Sequence, residues 1–201
     1  MKSADNFSTM KILLHICCGN CAAYPFKLLR EEGHDYEGFW FNPNIHPYEE
    51  YSLRLSSLKE LAEGRSVNMH YTEEYNPAEY FRMFGIEDLS GADHIEAAKN
   101  IERAERCKLC YKLRLEKTAE KACQNGFDAF STTLLISPYQ DFEQITATGK
   151  ELADKYNISF HAKDFRPHFR ESQTMGKELG LYRQKYCGCI FSREERRRAL
   201  K

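Results

Sequence analysis

"KILLHICCGNC", residues 11–21, places three thiols directly behind a short apolar run. Residues 11–17 have the length and apolar character of a buried strand, and residues 22–32 have the pattern of a helix that Gly33 ends. A strand followed at once by a helix begins a βαβ unit. The stretch therefore predicts an α/β fold with thiols at the end of its first strand.

The rest of the chain continues the alternation of strands and helices. Further strands are predicted over residues 37–41, 68–71, 128–134 and 158–161, and further helices over residues 48–63, 77–84, 93–124 and 142–156. This order predicts a parallel sheet with helices on both faces. Sites in such sheets lie beyond the carboxyl ends of the strands. "HICCGNC" and "STTLLISPYQ" (residues 131–140) both occupy that position.

Charge and hydropathy narrow the class of protein. The net charge of −1 excludes a uniformly basic nucleic-acid-binding surface but leaves room for a local basic patch. The apolar runs are too short to span a membrane, and the polar start of the chain is unlike a signal peptide. We therefore expect a cytoplasmic protein with a flexible N-terminus (residues 1–10) and a single α/β catalytic domain (residues 11–201).

The cysteines carry the strongest chemical signal. Seven of the eight fall in three groups, Cys17-Cys18-x-x-Cys21, Cys107-x-x-Cys110 and Cys187-x-Cys189. In a reducing compartment, clustered thiols indicate metal or redox chemistry. The second group heads an apolar stripe of the long predicted helix (Tyr111, Leu115, Ala119 and Ala122), so its thiols should point inward. We expect the three groups to converge.

The residues alone leave the kind of centre open. A structural zinc ion takes four ligands, and so does a [4Fe–4S] cluster, and either would leave three clustered thiols over. A plain thiol–disulfide oxidoreductase would need only one Cys-x-x-Cys pair. Two residues are expected to be structural: Cys123 as a small buried hydrophobe and His15 as a core histidine.

Four blocks of the sequence together resemble one known family. They are "HICCGNC", "ERCKLCYKLRLEKTA", "FSTTLLISPYQ" and "DFRPHFRESQTMGKELGLYRQKYCGC". In this order and with these cysteine spacings they resemble the cobalamin-independent epoxyqueuosine reductase family, from about residue 11 to residue 191. "GN" between Cys18 and Cys21 stands where the family often has Ala-Pro, which leaves the thiols in place.

The resemblance implies a fold and an activity. The fold would be an adenine-nucleotide-hydrolase-like (Rossmann-like) sheet with thiols where its relatives have a phosphate-binding loop, and so with no role for ATP. The activity would be the last step of queuosine synthesis. An epoxide on a modified guanine in a tRNA anticodon loop would be reduced to the alkene, with two electrons and two protons consumed and water released.

Site residues follow from the resemblance by position. Cys17, Cys18, Cys107 and Cys110 would bind a [4Fe–4S] cluster, and Cys187 and Cys189 would form a redox-active pair with Cys21 beside them. The remaining thiols could instead hold an additional iron ion. Asp141 or Tyr139 could supply an acid, although a helix N-cap and a packed aromatic are the structural alternatives for these two.

A tRNA substrate requires a local basic patch in this chain. The candidates are Arg166, Arg170, Arg183, Lys185, Arg196, Arg197 and Arg198. The last three belong to "SREERRRALK", which carries four arginines and one lysine against two glutamates and could equally be a solvated C-terminal helix. The electron donor is not identified by the sequence.

Two rival functions stay open. One is a zinc-stabilised tRNA-binding module without catalysis. The other is a tRNA sulfurtransferase on the same type of sheet, which should carry a glycine-rich phosphate loop that this sequence lacks.

Overall fold

The computed structural model describes residues 9–72, 74–87 and 101–199. Five parallel strands form one sheet in the order β3-β2-β1-β4-β5. They are β1 (Lys11–His15), β2 (Asp35–Trp40), β3 (Met69–Tyr71), β4 (Ala129–Thr132) and β5 (Ser159–Phe160). Residues 1–8 of the predicted flexible N-terminus lie outside the described residues.

Helices connect the strands. They are α1 (Gly19–Glu31), α2 (Tyr48–Gly64), α3 (Pro77–Arg82), α4 (Arg103–Gln124), α5 (Phe142–Tyr156), α6 (Phe169–Glu178) and α7 (Ile190–Ala199), with short 3-10 helices at Thr133–Ile136 and Arg166–His168. The predicted α/β fold with a parallel sheet is confirmed. Of the predicted helix over residues 93–124, the part before residue 101 lies outside the described residues.

The central strand β1 separates two apolar cores. Leu13 packs with α4 and α5, whereas Ile12 and Leu14 pack with α1 and α2, and all three side chains are fully buried. Successive side chains of a strand point to opposite faces of the sheet. Helices therefore cover both faces, as the apolar run of β1 predicts.

Differences from the prediction concern the ends of elements. β1 ends at His15 and α1 begins at Gly19, three residues earlier than expected, because the Cys18 side chain caps the helix by accepting a hydrogen bond from the Cys21 amide. Cys21 therefore lies in the first turn of α1. The helix α6, which packs against α1, was not predicted from the basic segment that contains it.

His15 is a core histidine, as expected. It is fully buried, with Nδ1 2.9 Å from Thr132 Oγ1 and Nε2 3.2 Å from the Phe41 carbonyl oxygen. Burial, with a smaller effect of the Arg114 charge, lowers its pKa to about 3. The ring is therefore neutral in the folded protein and joins the carboxyl ends of β1, β2 and β4.

Candidate metal centre

The first thiol group follows β1 at the carboxyl edge of the sheet. Cys17, Cys18 and Cys21 are buried, and their sulfur atoms all lie within 4.8 Å of one another. The Cys17 and Cys18 sulfurs are 3.9 Å apart, and Cys18 Sγ is 3.3 Å from the Cys21 amide nitrogen. The chain thus brings three soft ligand atoms together at the end of β1.

Neighbouring elements hold this loop in place. The Cys17 amide donates to Thr133 Oγ1 at 3.2 Å, and the Thr133 hydroxyl lies 3.5 Å from Cys17 Sγ. On the other side, α2 passes so close that a Cβ at position 19 would lie 2.7 Å from the Ser57 carbonyl oxygen. Glycine at position 19 therefore allows α1 to begin where the thiols need it.

The three thiols share negative charge unequally. Hydrogen bonds from Cys18 and Cys21 hold the pKa of Cys17 well below its usual range, despite burial. Burial and the bond to Cys17 raise the pKa of Cys18, and bonds to both neighbours raise the pKa of Cys21. The lowered pKa of Cys17 favours its thiolate, the form in which sulfur binds metal.

The second thiol group lies on α4. Cys110 is buried and Cys107 is half-buried, and burial raises the pKa of Cys110 to about 11. The inward stripe predicted from the sequence is present: Tyr111, Leu115, Ala119 and Ala122 are all buried. Cys107 packs against the core cluster that contains this stripe, whereas Cys110 packs with Tyr80 and Phe81 of α3 and with Phe191 of α7.

The third group precedes α7. The sulfurs of Cys187 and Cys189 are 3.6 Å apart, and Ser192 Oγ lies 2.9 Å from the first and 3.4 Å from the second. Hydrogen bonds from Cys189 and Ser192 lower the pKa of Cys187 to about 5, whereas the bond to Cys187 raises the pKa of Cys189. Cys187 is exposed, so this pair joins the buried thiols to the surface.

Several interactions connect the three groups. Cys110 and Cys189 pack in one apolar cluster with Tyr80. Negative charge on Cys187 contributes to raising the pKa of both thiols of α4. Arg114, one turn after Cys110, interacts electrostatically with Cys110, Cys17 and Cys187. The structure therefore gathers thiols from all three parts of the sequence around one region.

Two buried arginines were missed by the sequence analysis. Arg54 and Arg114 are 1% and 3% exposed, and each carries its positive charge close to thiols of more than one group. A signal was available, because Arg54 precedes Leu58 and Leu61 at helical spacing, and Arg114 follows Cys110 by four residues. A charge within a buried stripe indicates a partner or a function.

Tyr80 was missed as well. It is 1% exposed in α3 and packs beside Cys110 and Cys189. Burial and then the charge of Cys189 raise its pKa well above the usual value, so the hydroxyl keeps its proton beside the cysteine pair.

The two candidate acids occupy different surroundings. Asp141 is the N-cap of α5, where its Oδ1 accepts a hydrogen bond from the Gln144 amide at 2.9 Å. Tyr139 is 77% exposed, with its ring 5.9 Å from that of Phe169. Asp141 is therefore a helix N-cap, which was its structural alternative to a catalytic acid. Tyr139 is exposed and is not the packed aromatic that was its structural alternative.

Cys123 is exposed, so its prediction as a buried hydrophobe is wrong. Its thiol lies at the outer side of α4 and donates to the Tyr156 carbonyl oxygen at 3.1 Å. The buried stripe of the helix passes through Ala119 and Ala122. Cys123 is next to Ala122 in the sequence, but its side chain lies on a different face of the helix.

Three of the basic candidates have partners within the protein, and all but Arg166 are exposed. Arg166 is held by Asp164 at 2.8 Å and lies over the Phe142 ring. Arg196 donates to the Lys185 carbonyl oxygen at 2.8 Å, which joins α7 to the segment before the cysteine pair. Arg197 pairs with Glu194 at 3.1 Å. The side chains of Arg170, Arg183, Lys185, Arg196, Arg197 and Arg198 are exposed.

A second group of metal-ligand types lies apart from these thiols. Glu32, His34 and His161 bring their ligand atoms within 4.8 Å of one another. Protein partners already engage two of them, because Lys163 pairs with Glu32 and the Met10 amide donates to His34 Nδ1 at 3.4 Å. Of the two groups, Cys17, Cys18 and Cys21 are therefore the better candidate for a metal site.

Comparison with known proteins gives the family. The model of the family described as epoxyqueuosine reductase QueH matches residues 12–195. The chain belongs to this family. Proteins named epoxyqueuosine reductase QueH from Dehalococcoides mccartyi and Thermotoga maritima are 35% and 36% identical to it, each over 92% of this chain and over 94% and 92% of their own lengths.

Solved structures share the fold of this family member. A protein of Methanocaldococcus jannaschii described as a predicted subunit of tRNA methyltransferase aligns with a TM-score of 0.55 at 12% identity, over 93% of this chain and 88% of its own. The U34-tRNA thiolase NcsA of Methanococcus maripaludis, solved with its [4Fe–4S] cluster, aligns with a TM-score of 0.54 at 14% identity, over 94% and 64%. These likenesses confirm the predicted adenine-nucleotide-hydrolase-like fold. Among the described residues, no helix is long and apolar enough to cross a membrane.

Proposed function

We propose that this protein is an iron–sulfur epoxyqueuosine reductase that acts on tRNA. The observation that carries the proposal is the gathering of thiols from three distant segments at the carboxyl edge of the sheet, in a chain whose curated relatives bear that enzyme's name. The substrate would be epoxyqueuosine in the anticodon loop, and the product queuosine. The epoxide takes up two electrons and two protons, both C–O bonds break, and the oxygen leaves as water.

Thiolates are the donors that an iron–sulfur cluster takes, four for each cluster. In the ligand set that we propose from the family resemblance, they would be Cys17, Cys18, Cys107 and Cys110. Buried thiolates need compensating charge, and Arg54 and Arg114 supply it from inside the protein. When bound, such a cluster supplies electrons one at a time at low potential.

The remaining thiols have a redox use. Cys187 and Cys189 can release two electrons and two protons as they form a disulfide, and their 3.6 Å separation in the reduced state favours that bond. An external low-potential one-electron carrier would restore the dithiol. In a variant of this scheme, Cys21 and the pair hold an additional iron ion that polarises the epoxide oxygen.

The chain's own groups would bind and protonate the substrate. Phosphates of the anticodon loop would meet the exposed arginines and Lys185 around the cysteine pair. Of the two candidate acids, Tyr139 is the one we propose, because its side chain is exposed whereas the Asp141 carboxylate caps α5.

Anaerobic purification followed by metal analysis tests the proposal. We expect about four iron atoms and four sulfide ions per chain, a brown colour and broad absorbance at about 400 nm. Nucleoside mass spectrometry of tRNA bearing epoxyqueuosine should then show queuosine after addition of reductant. A colourless protein with one zinc per chain and no turnover would instead support the tRNA-binding module.

A further inference from the structure

Arg54 is a buried charge that joins α2 to the segment of the cysteine pair. Its Nε and Nη2 both lie 2.7 Å from Glu50 Oε1, one helical turn earlier. The other oxygen of Glu50 accepts a hydrogen bond from the Tyr182 hydroxyl at 2.6 Å. Both carboxylate oxygens of Glu50 thus accept hydrogen bonds, and Arg54 still has N–H groups to donate.

These N–H groups donate to the backbone that carries the redox pair. Nη2 donates to the Tyr186 carbonyl oxygen at 2.8 Å, and Nη1 donates to the Cys187 carbonyl oxygen at 3.1 Å. The next residue, Gly188, has a φ of 118°, and a Cβ there would lie 3.1 Å from Arg54 Nη1. The backbone between the two cysteines therefore packs directly against the guanidinium.

The helix that carries Arg54 also reaches the first thiol group. A Cβ at position 19, next to Cys18, would lie 2.7 Å from the carbonyl oxygen of Ser57, one turn after Arg54 on α2. The helix α2 therefore contacts the segments of two thiol groups.

We infer that Arg54 is the positioning residue that holds the Cys187–Cys189 pair in place. Its bonds to the Tyr186 and Cys187 carbonyls hold the backbone that carries the two thiols. The inference deepens the proposed function and rests on it for the redox use of the pair. Arginine suits this role because its planar fork reaches a carboxylate and two carbonyls at once, which a lysine ammonium cannot.

One substitution isolates these bonds. Arg54→Lys keeps the charge beside Glu50 and removes the bonds to the two carbonyls. Arg65→Met, just beyond the end of α2, is the matched control, since the Arg65 interaction with Arg30 uses its backbone oxygen.

The positioning role is read from the disulfide equilibrium of the pair. The protein is equilibrated with glutathione buffers, and alkylation with mass spectrometry measures the fraction of Cys187–Cys189 disulfide. Arg54→Lys should lower that fraction several-fold at a given buffer ratio, because the freed segment no longer holds the thiols together. A wild-type equilibrium in Arg54→Lys would overturn the inference.

The disulfide measurement also distinguishes this inference from the proposed function. Failure of wild-type protein to bind iron would refute the iron–sulfur proposal. The disulfide equilibrium would still report on the bonds from Arg54 to the pair, since it needs no metal.

Discussion

The sulfur atoms of Cys187 and Cys189 lie 3.6 Å apart, in contact but not bonded, and share Ser192 as a neighbour. A Cys-x-Cys disulfide closes a small ring and is easily reduced. A pair of this kind, with one exposed thiol, suits transfer of electrons between a partner and the buried thiols.

The cysteine pair should therefore be needed for turnover and not for the cluster. We expect the double change Cys187→Ser and Cys189→Ser to abolish formation of queuosine, while the absorbance of the cluster at about 400 nm remains. The measurements are nucleoside mass spectrometry and an anaerobic spectrum of the same sample. Loss of iron in this variant would instead make the pair part of the metal ligand set.

The thiols of α4 should be needed for the cluster. Cys110→Ser should lose most of the iron and sulfide, because a serine hydroxyl does not replace a thiolate. Cys123→Ser is the matched control on the same helix, since its side chain is exposed. Iron and sulfide are measured per chain after anaerobic purification. Full occupancy in Cys110→Ser with loss in Cys123→Ser would refute the assignment.

The arginines of α7 should contribute to tRNA binding. Changing Arg196, Arg197 and Arg198 together to alanine should weaken binding and reduce the slope of log affinity against log salt by about 0.7–0.9 for each phosphate that the variant no longer neutralises. Filter binding over a series of salt concentrations measures the slope, with Lys150→Ala on α5 as the control. If affinity and slope match wild type, α7 is only a solvated helix.

His15 should make stability depend on pH. Its pKa falls from 6.5 to about 3 on folding, chiefly through burial, so only the unfolded chain takes up the proton in that range. The contribution to stability is complete above pH 6.5 and is lost as the pH falls toward 3, with a limiting slope of about 1.4 kcal/mol per pH unit.

His15→Gln, which retains a polar group beside Thr132, should show a weaker dependence. The measurement is Tm for both proteins between pH about 7.5 and about 5.5, a range that spans the ordinary histidine pKa. Parallel curves for the two proteins would contradict this role of His15.

The sequence predicted the fold class well, and local physics explains why. Alternation of short apolar runs with helical periodicity is visible within windows of a few residues, and parallel strands joined by helices follow from it. The elements that it missed have weak local signals. α6 is rich in polar residues and is stabilised by packing on α1, and the ends of β1 and α1 depend on the cap that Cys18 provides.

By itself, the sequence determined the three thiol groups, their order and the inward stripe that carries Cys110, because spacing along a helix fixes a face. Only the tertiary structure decided what surrounds the thiols. Arg54 and Cys187 are 133 residues apart in the chain, yet a guanidinium N–H of one donates to the carbonyl oxygen of the other. No local pattern encodes such an interaction, since it depends on how α2 and the segment before α7 pack. The charge beside the sulfur atoms is therefore a property of the folded chain.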